Sequence, residues 1–325
     1  MAFSRLALNP SLAACYNSWL KYQLTSKAMT TSNSDSLDLK ACAQALEASG
    51  DYQVLKRFKP RYQYHSPSPE KVHKVCIIDT ETTGLDTATC EIIELGYQIV
   101  EFDSQGHFYK VLSTQDYLNE PEGEISEEVT LVTGLTYEDV KGQHIPWDVV
   151  EKELADVDLC VAHNAGFDRP ILERYHPLFE NKVWGCSASQ IDWFNLANVS
   201  SRSQEFLCWK VGHFFYEAHR ALDDVQALTH LLAQPIGEPA HPAFFYLLNS
   251  VRQAKIMVKA TGAPFDIKDD LRSRGYRWNV SERVWQKVIP VAEKEQELAW
   301  LIENNTPNPT ITKLKATDTF SVRAQ

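Results

Sequence analysis

Five side chains, carried by three short motifs, define the chemistry open to this sequence. Asp79 and Glu81 stand in Asp79-Thr80-Glu81-Thr82-Thr83-Gly84, and Asp168 closes His163-Asn164-Ala165-Gly166-Phe167-Asp168. His219 and Asp224 belong to His219-Arg220-Ala221-Leu222-Asp223-Asp224. Each carboxylate lies at the start or end of an apolar run, where a charge is costly unless something binds it. Four carboxylates converging on one point repel one another unless divalent cations lie between them. A histidine beside such a cluster is placed to act as a base on metal-bound water. Together the motifs read as a two-metal phosphodiester-cleaving site.

Local geometry decides which of these groups can meet. Alternate residues of a strand share a face, so Asp79 and Glu81 project together while Cys76, Ile78 and Thr80 take the other side. A single Asp-x-Glu is usually a solvated strand end, and Asp168 alone reads equally well as a helix N-cap. Their weight comes from occurring together. Asp168 lies three and four residues before Ile171 and Leu172, on the helical stripe that faces a sheet, and Pro170 is tolerated in a first turn. In the third motif Asp224 shares its face with Ala221 and Leu228, whereas Asp223 lies on the more polar side with Arg220, Gln226 and Ala227. Asp224 is therefore assigned to the cluster, with His219 just ahead of its helix.

The elements that must position these residues follow from periodicity. Apolar runs at 75–80, 91–102 and 108–113 read as strands, with Gly106 at a turn, and further strands are expected at 158–163 and 183–186. Helices are expected at 127–133, 147–155, 168–175, 189–196, 205–211 and 222–233. Three meandering strands followed by alternating strand and helix predict an α/β domain, a mixed five-stranded sheet flanked by helices. That domain is bounded at 75–235, after an N-terminal extension and linker (1–74) with a short helical pattern at 37–46. A basic-aromatic stretch at 55–62 reads as a strap across the domain, with a nucleic-acid contact the alternative. Pro235, Gly237, Pro239 and Pro242 mark a linker at 236–250, followed by a small α+β module at 251–303 and a flexible tail at 304–325.

Composition narrows the setting. The net charge of −11 looks unsuited to a nucleic-acid partner, but residues 251–290 hold nine Lys/Arg against four Asp/Glu. An acidic body with a basic annex is compatible with a polyphosphate ligand. Seven scattered cysteines without a Cys-x-x-Cys pair argue for a reducing, cytoplasmic compartment and against structural zinc. No apolar run approaches a membrane span. Leu12-Ala13-Ala14-Cys15 has the look of a lipoprotein cleavage site, but Arg5, Asn9 and Pro10 interrupt the apolar core a signal peptide needs, and Met29 is an alternative start.

The order and spacing of the three motifs resemble those of the DEDDh (DnaQ-like) 3′–5′ exonucleases, the group that includes the proofreading epsilon subunit of bacterial DNA polymerase III. The resemblance runs from about residue 75 to 234, and Thr133-Gly134-Leu135-Thr136 is similar to a further element of that family. The histidine variant fits; a tyrosine variant would carry Tyr four residues before Asp224, where Arg220 stands. The resemblance implies a ribonuclease-H-like fold and two Mg²⁺ or Mn²⁺ ions held by Asp79, Glu81, Asp168 and Asp224, with His219 as general base. It also implies a grip on the terminal nucleotide by Thr82, Thr83, Gly84 and Leu85, with Asn164 and Phe167 lining the same pocket. For Leu85 and Phe167, core packing is an equal alternative.

In the C-terminal module, 268–274 has helical character ending at Gly275, and the segments 276–279 and 283–287 read as a hairpin. Its Trp278 and Trp285 read as a cross-strand pair in the module's own core, with base stacking the alternative. The leading expectation is a metal-dependent 3′–5′ exonuclease that releases nucleoside monophosphates from single-stranded DNA with a free 3′ end, in repair or processing. The alternatives are an RNA-trimming exoribonuclease of the RNase T or oligoribonuclease type and a polymerase-associated proofreading subunit. No clamp-binding motif is evident, since Gln204-Glu205-Phe206-Leu207 falls inside an expected helix.

Overall fold

The computed structural model describes residues 38–67 and 71–324. The N-terminal stretch carrying Cys15 and Met29 lies outside them. The chain forms two units, 1–54 and 55–325. In the first, the helix Leu39–Ala48 is capped by Asp38, whose carboxylate accepts from the backbone N–H groups of Lys40 and Ala41.

The second unit opens with β1 (Lys56–Arg57) and then builds its main sheet from β2 (His73–Thr82), β3 (Ile92–Phe102), β4 (Phe108–Leu118), β5 (Leu159–Ala162) and β6 (Trp184–Cys186). Strand order is β4-β3-β2-β5-β6. The first three strands pair antiparallel as a meander, and β5 and β6 join parallel to β2. This is the expected mixed sheet, with the ribonuclease-H-like order. β2 is central and buried on both faces, so its alternation divides the core. Val75 and Ile77 pack with Val225, Leu228 and Leu232 of the helix Ala221–Leu232. Cys76 and Ile78 pack with Ile171 and Leu172 of the helix Ala165–Tyr175. The two motif-bearing helices therefore lie on opposite faces of one strand.

Short pairings complete the domain. β7 (Phe214–Phe215) pairs with β1, and β8 (Pro235–Ile236) pairs with β9 (His241–Pro242). The basic-aromatic strap is anchored through Phe58, against Phe214 and His230, and Tyr64, against Phe108. The stretch expected as a linker at 236–250 instead contains most of a helix, Ala243–Arg252, whose Phe244, Leu247 and Leu248 belong to the main core. Pro242 stands at its N-cap, where a missing N–H costs nothing, so the proline that looked like a breaker is a helix start.

The C-terminal module is a four-stranded antiparallel sheet, β11 (Arg277–Asn279), β12 (Val284–Pro290), β10 (Lys255–Lys259) and β13 (Thr310–Leu314), in that order. The helices Lys268–Ser273 and Lys294–Glu303 contribute Leu271 and Leu301 to its core. The expected hairpin is present, with Trp278 opposite Trp285. The segment after Asn304, expected as a flexible tail, is built into the fold. β13 is an edge strand on β10, and residues 316–324 lie on the helix Ala165–Tyr175. There the fully buried Arg169 donates to the carbonyls of Thr319 (2.6 Å) and Thr317, and to Glu173 (2.8 Å).

Candidate active site

At its C-terminal end β2 leaves the core, and there the motif carboxylates collect. Asp79 and Glu81 project from one face, opposite Gly96 and Glu94 of β3. Asp224, in the first turn of the helix Ala221–Leu232, reaches the same point, and ligand oxygens of Asp79, Glu81 and Asp224 all lie within 4.8 Å of one another. Asp223 is exposed. Asp168 arrives from the other face of the sheet, in the first turn of the helix Ala165–Tyr175, with its side chain buried. Its Oδ1 accepts from the Thr80 N–H (3.1 Å) and hydroxyl (2.9 Å), which tether it to the end of β2 beside Asp79.

The electrostatics are those of crowding. Burial, followed by the charges of Asp168 and Asp224, pushes the Asp79 carboxyl well above the usual range. Burial, then Asp224 and Glu94, raises Glu81 to about 8. Burial raises Asp168 to about 7, against the lowering pull of the Thr80 hydroxyl. Asp224 is raised by burial too, and hydrogen bonds from Tyr216 and the His219 N–H oppose the rise. Mutually repelling carboxylates with oxygens this close form a hard, anionic pocket whose donor set suits Mg²⁺ or Mn²⁺. The crowding that raises these carboxyls is relieved when a divalent cation takes the place of their protons.

Asp224 is held by three donors: the Tyr216 hydroxyl (2.6 Å), Gln204 Nε2 (2.9 Å) and the His219 backbone N–H (2.7 Å). The last contact explains the His219 backbone, which adopts a φ of +70° and leaves the side chain exposed. Arg220 then locks the turn. Its guanidinium grips the fully buried Glu94 at 2.6 and 2.9 Å, and the same carboxylate accepts the Ala221 N–H at 2.9 Å. Two residues along β3, Gly96 permits the contact: a Cβ there would stand 2.5 Å from the Ala221 carbonyl carbon. The helix start that carries His219 and Asp224 is thus seated directly on β3.

Thr82 and Thr83 are turned inward and fix the loop, the first donating to the Gly84 carbonyl (2.7 Å) and the second accepting from the Glu91 N–H (3.0 Å). Leu85 protrudes with 90% of its surface exposed, Asn164 is exposed, and Phe167 packs partly into the core. Sequence reasoning missed Thr80, Gln204, Tyr216 and the Glu94–Arg220 pair. It also missed Asp116 on β4, whose carboxyl is raised to about 6 by burial and then by Glu94.

A ribonuclease-H-like sheet with carboxylates gathered beyond its central strand is the arrangement of a nuclease. Residues 76–232 match the RNase T exonuclease family. Over 163 residues it is 32% identical to the PolC-type DNA polymerase III of Thermotoga petrophila, a match covering 48% of this chain and 11% of that protein. The PolC-type DNA polymerase III of Mycoplasmopsis pulmonis is 26% identical over 196 residues, 56% of this chain and 13% of the relative. The chain therefore spans about a tenth of the length of these relatives. Among solved structures, exonuclease X in complex with 5′ overhanging duplex DNA shares 24% identity over 49% of this chain and 88% of its own, with a TM-score of 0.37. Exonuclease I shares 14% over 78% of this chain and 66% of its own, with a TM-score of 0.43. Among the described residues, no helix is long and apolar enough to cross a membrane.

Proposed function

We propose that this protein is a metal-dependent 3′–5′ exonuclease that removes nucleoside monophosphates from single-stranded DNA. The observation that carries the reading is the cluster of Asp79, Glu81 and Asp224 oxygens within 4.8 Å, with Asp168 tethered beside it through Thr80. Asp79, Glu81, Asp168 and Asp224 would hold two Mg²⁺ or Mn²⁺ ions, which when bound activate a water and neutralise the leaving 3′-oxygen. The chain's own residues do the rest. His219, exposed and poised by the hydrogen bond of its backbone to Asp224, accepts the proton of the attacking water at an imidazole nitrogen. Gln204 and Tyr216 fix the Asp224 carboxylate by donating to its Oδ1. Leu85 packs against the terminal base, Thr82, Thr83 and Gly84 shape the loop around it, and Asn164 and Phe167 line the other side. DNA is preferred over RNA here because the matched segments of the curated relatives belong to DNA polymerases. A DNA-repair or processing role, inside the cytoplasm and independent of a polymerase, completes the reading. The test is digestion of matched DNA and RNA oligonucleotides with Mg²⁺ or Mn²⁺, where DNA is expected to be degraded faster; faster loss of RNA would replace DNA with RNA as the substrate.

A further inference from the structure

We propose that the C-terminal module carries a second, non-catalytic binding site for single-stranded nucleic acid, in a hollow at the end of its sheet. The hollow, of about 520 Å³, is lined by Phe265, Trp278, Trp285 and Arg283, by the 260–264 loop, and by Lys259 and Glu282, which neutralise each other as an ion pair. That volume lies within the range of small-ligand sites and is enough for one nucleotide. Three aromatic rings around one concavity are more than the module's core requires. Trp285 packs toward Leu271 and Leu301, but Trp278, edge-on to it at 5.6 Å, keeps 47% of its surface exposed, and Phe265 keeps 76%. Exposed rings of this size are expensive to leave in water and are the usual platforms on which unpaired bases stack.

Charge selects the occupant. Lys268 stands 4.1 Å over the Phe265 ring and forms no ion pair among the described residues. Arg283, exposed at the hairpin turn with a φ of +53°, has no carboxylate partner among them either. These two cations flank the rings in a segment with nine Lys/Arg against four Asp/Glu, on a chain whose net charge is −11. Aromatic faces interleaved with unpaired cations match alternating bases and phosphates, and duplex DNA offers no exposed base faces to such a surface. The site depends on the nuclease reading only for its biological sense, since it would hold a strand whose end is being cut.

The test uses the full chain in EDTA, so that nothing is cleaved, and a fluorescent single-stranded 30-mer as probe. Two variants spare the fold. Phe265→Ala removes a mostly exposed ring, and Arg283→Gly places glycine where the backbone already favours it. Phe265→Ala is expected to weaken strand binding about 5- to 10-fold, the low end of the stacking range. Arg283→Gly is expected to weaken it and to reduce the salt slope by about 0.7, one phosphate contact to a single strand. Hydrolysis of a nitrophenyl phosphodiester with Mn²⁺ is expected to be unchanged in both. Wild-type strand affinity and salt slope in both variants would overturn the proposal and leave the hollow as a protein contact. Loss of nitrophenyl ester hydrolysis in the wild type would instead overturn the nuclease reading and leave the binding result standing.

Discussion

Replacing Glu81 with Gln should make the metal-free protein more stable at alkaline pH, against the usual effect of altering a buried polar residue. Glu81 is pushed to about 8 from an ordinary value of 4.5, first by burial and then by Asp224 and Glu94. A raised folded-state value means that the unfolded chain gives up its proton first. The wild type therefore loses stability as pH rises from about 4.5 through about 8, and the full cost is present above that. At about 1.4 kcal/mol per tenfold change in proton affinity the gap corresponds to about 5 kcal/mol; partial solvent contact and local relaxation reduce this to about 2–3 kcal/mol. For a protein of this size that is about 3–5 °C in Tm. The assay is thermal unfolding in EDTA at pH 5 and pH 9. Glu81→Gln should melt near wild type at pH 5 and higher at pH 9. Saturating Mn²⁺ should then raise the wild type, by about 2.7 kcal/mol at a hundredfold excess over Kd, and raise the variant less. An equal or lower Tm for the variant at pH 9 would refute the reasoning, because the carboxylates would then not be crowded.

Three further outcomes follow. His219→Ala should lower kcat by about 10²–10⁴, the usual contribution of a general base, with an altered pH–rate profile; an unchanged profile would place the base elsewhere. Glu94→Gln should cost about 2–3 kcal/mol in urea unfolding and lower kcat more than it raises KM, since it frees Arg220 and the Ala221 N–H that seat the His219 turn. Removing residues 316–325 should lower Tm by several degrees and reduce kcat, because the buried Arg169, next to Asp168, loses the Thr317 and Thr319 carbonyls; an unaltered Tm would make that contact dispensable.

Much of this was legible because the chemistry-bearing residues sit where local periodicity is strong. Alternation along β2 put Asp79 and Glu81 on one side, and helical spacing separated inward Asp224 from exposed Asp223. What stayed hidden depends on contacts between residues far apart in sequence. Thr80 meets Asp168 across 88 positions and Glu94 meets Arg220 across 126, and nothing local marks either. Arg220 read only as the absence of a tyrosine, yet it clamps the turn. The prolines near 240 looked like punctuation, although Pro242 starts a core helix. A truncation after Pro242, which the sequence invites as a domain cut, would remove Phe244, Leu247 and Leu248 from the main core. The tail misread as flexible contains a β-branched run, Thr310-Ile311-Thr312, too short to announce a strand until β10 is there to pair with it.

The most direct test of the central claim is time-resolved digestion of a 5′-labelled single-stranded DNA with Mg²⁺ or Mn²⁺, comparing wild type, Asp224→Ala and Asp223→Ala. The expected result is a ladder shortening one nucleotide at a time from the 3′ end, no cleavage by Asp224→Ala, and a ladder retained in Asp223→Ala. Immediate release of labelled mononucleotide, cleavage without divalent metal, or an active Asp224→Ala beside an inactive Asp223→Ala would contradict it.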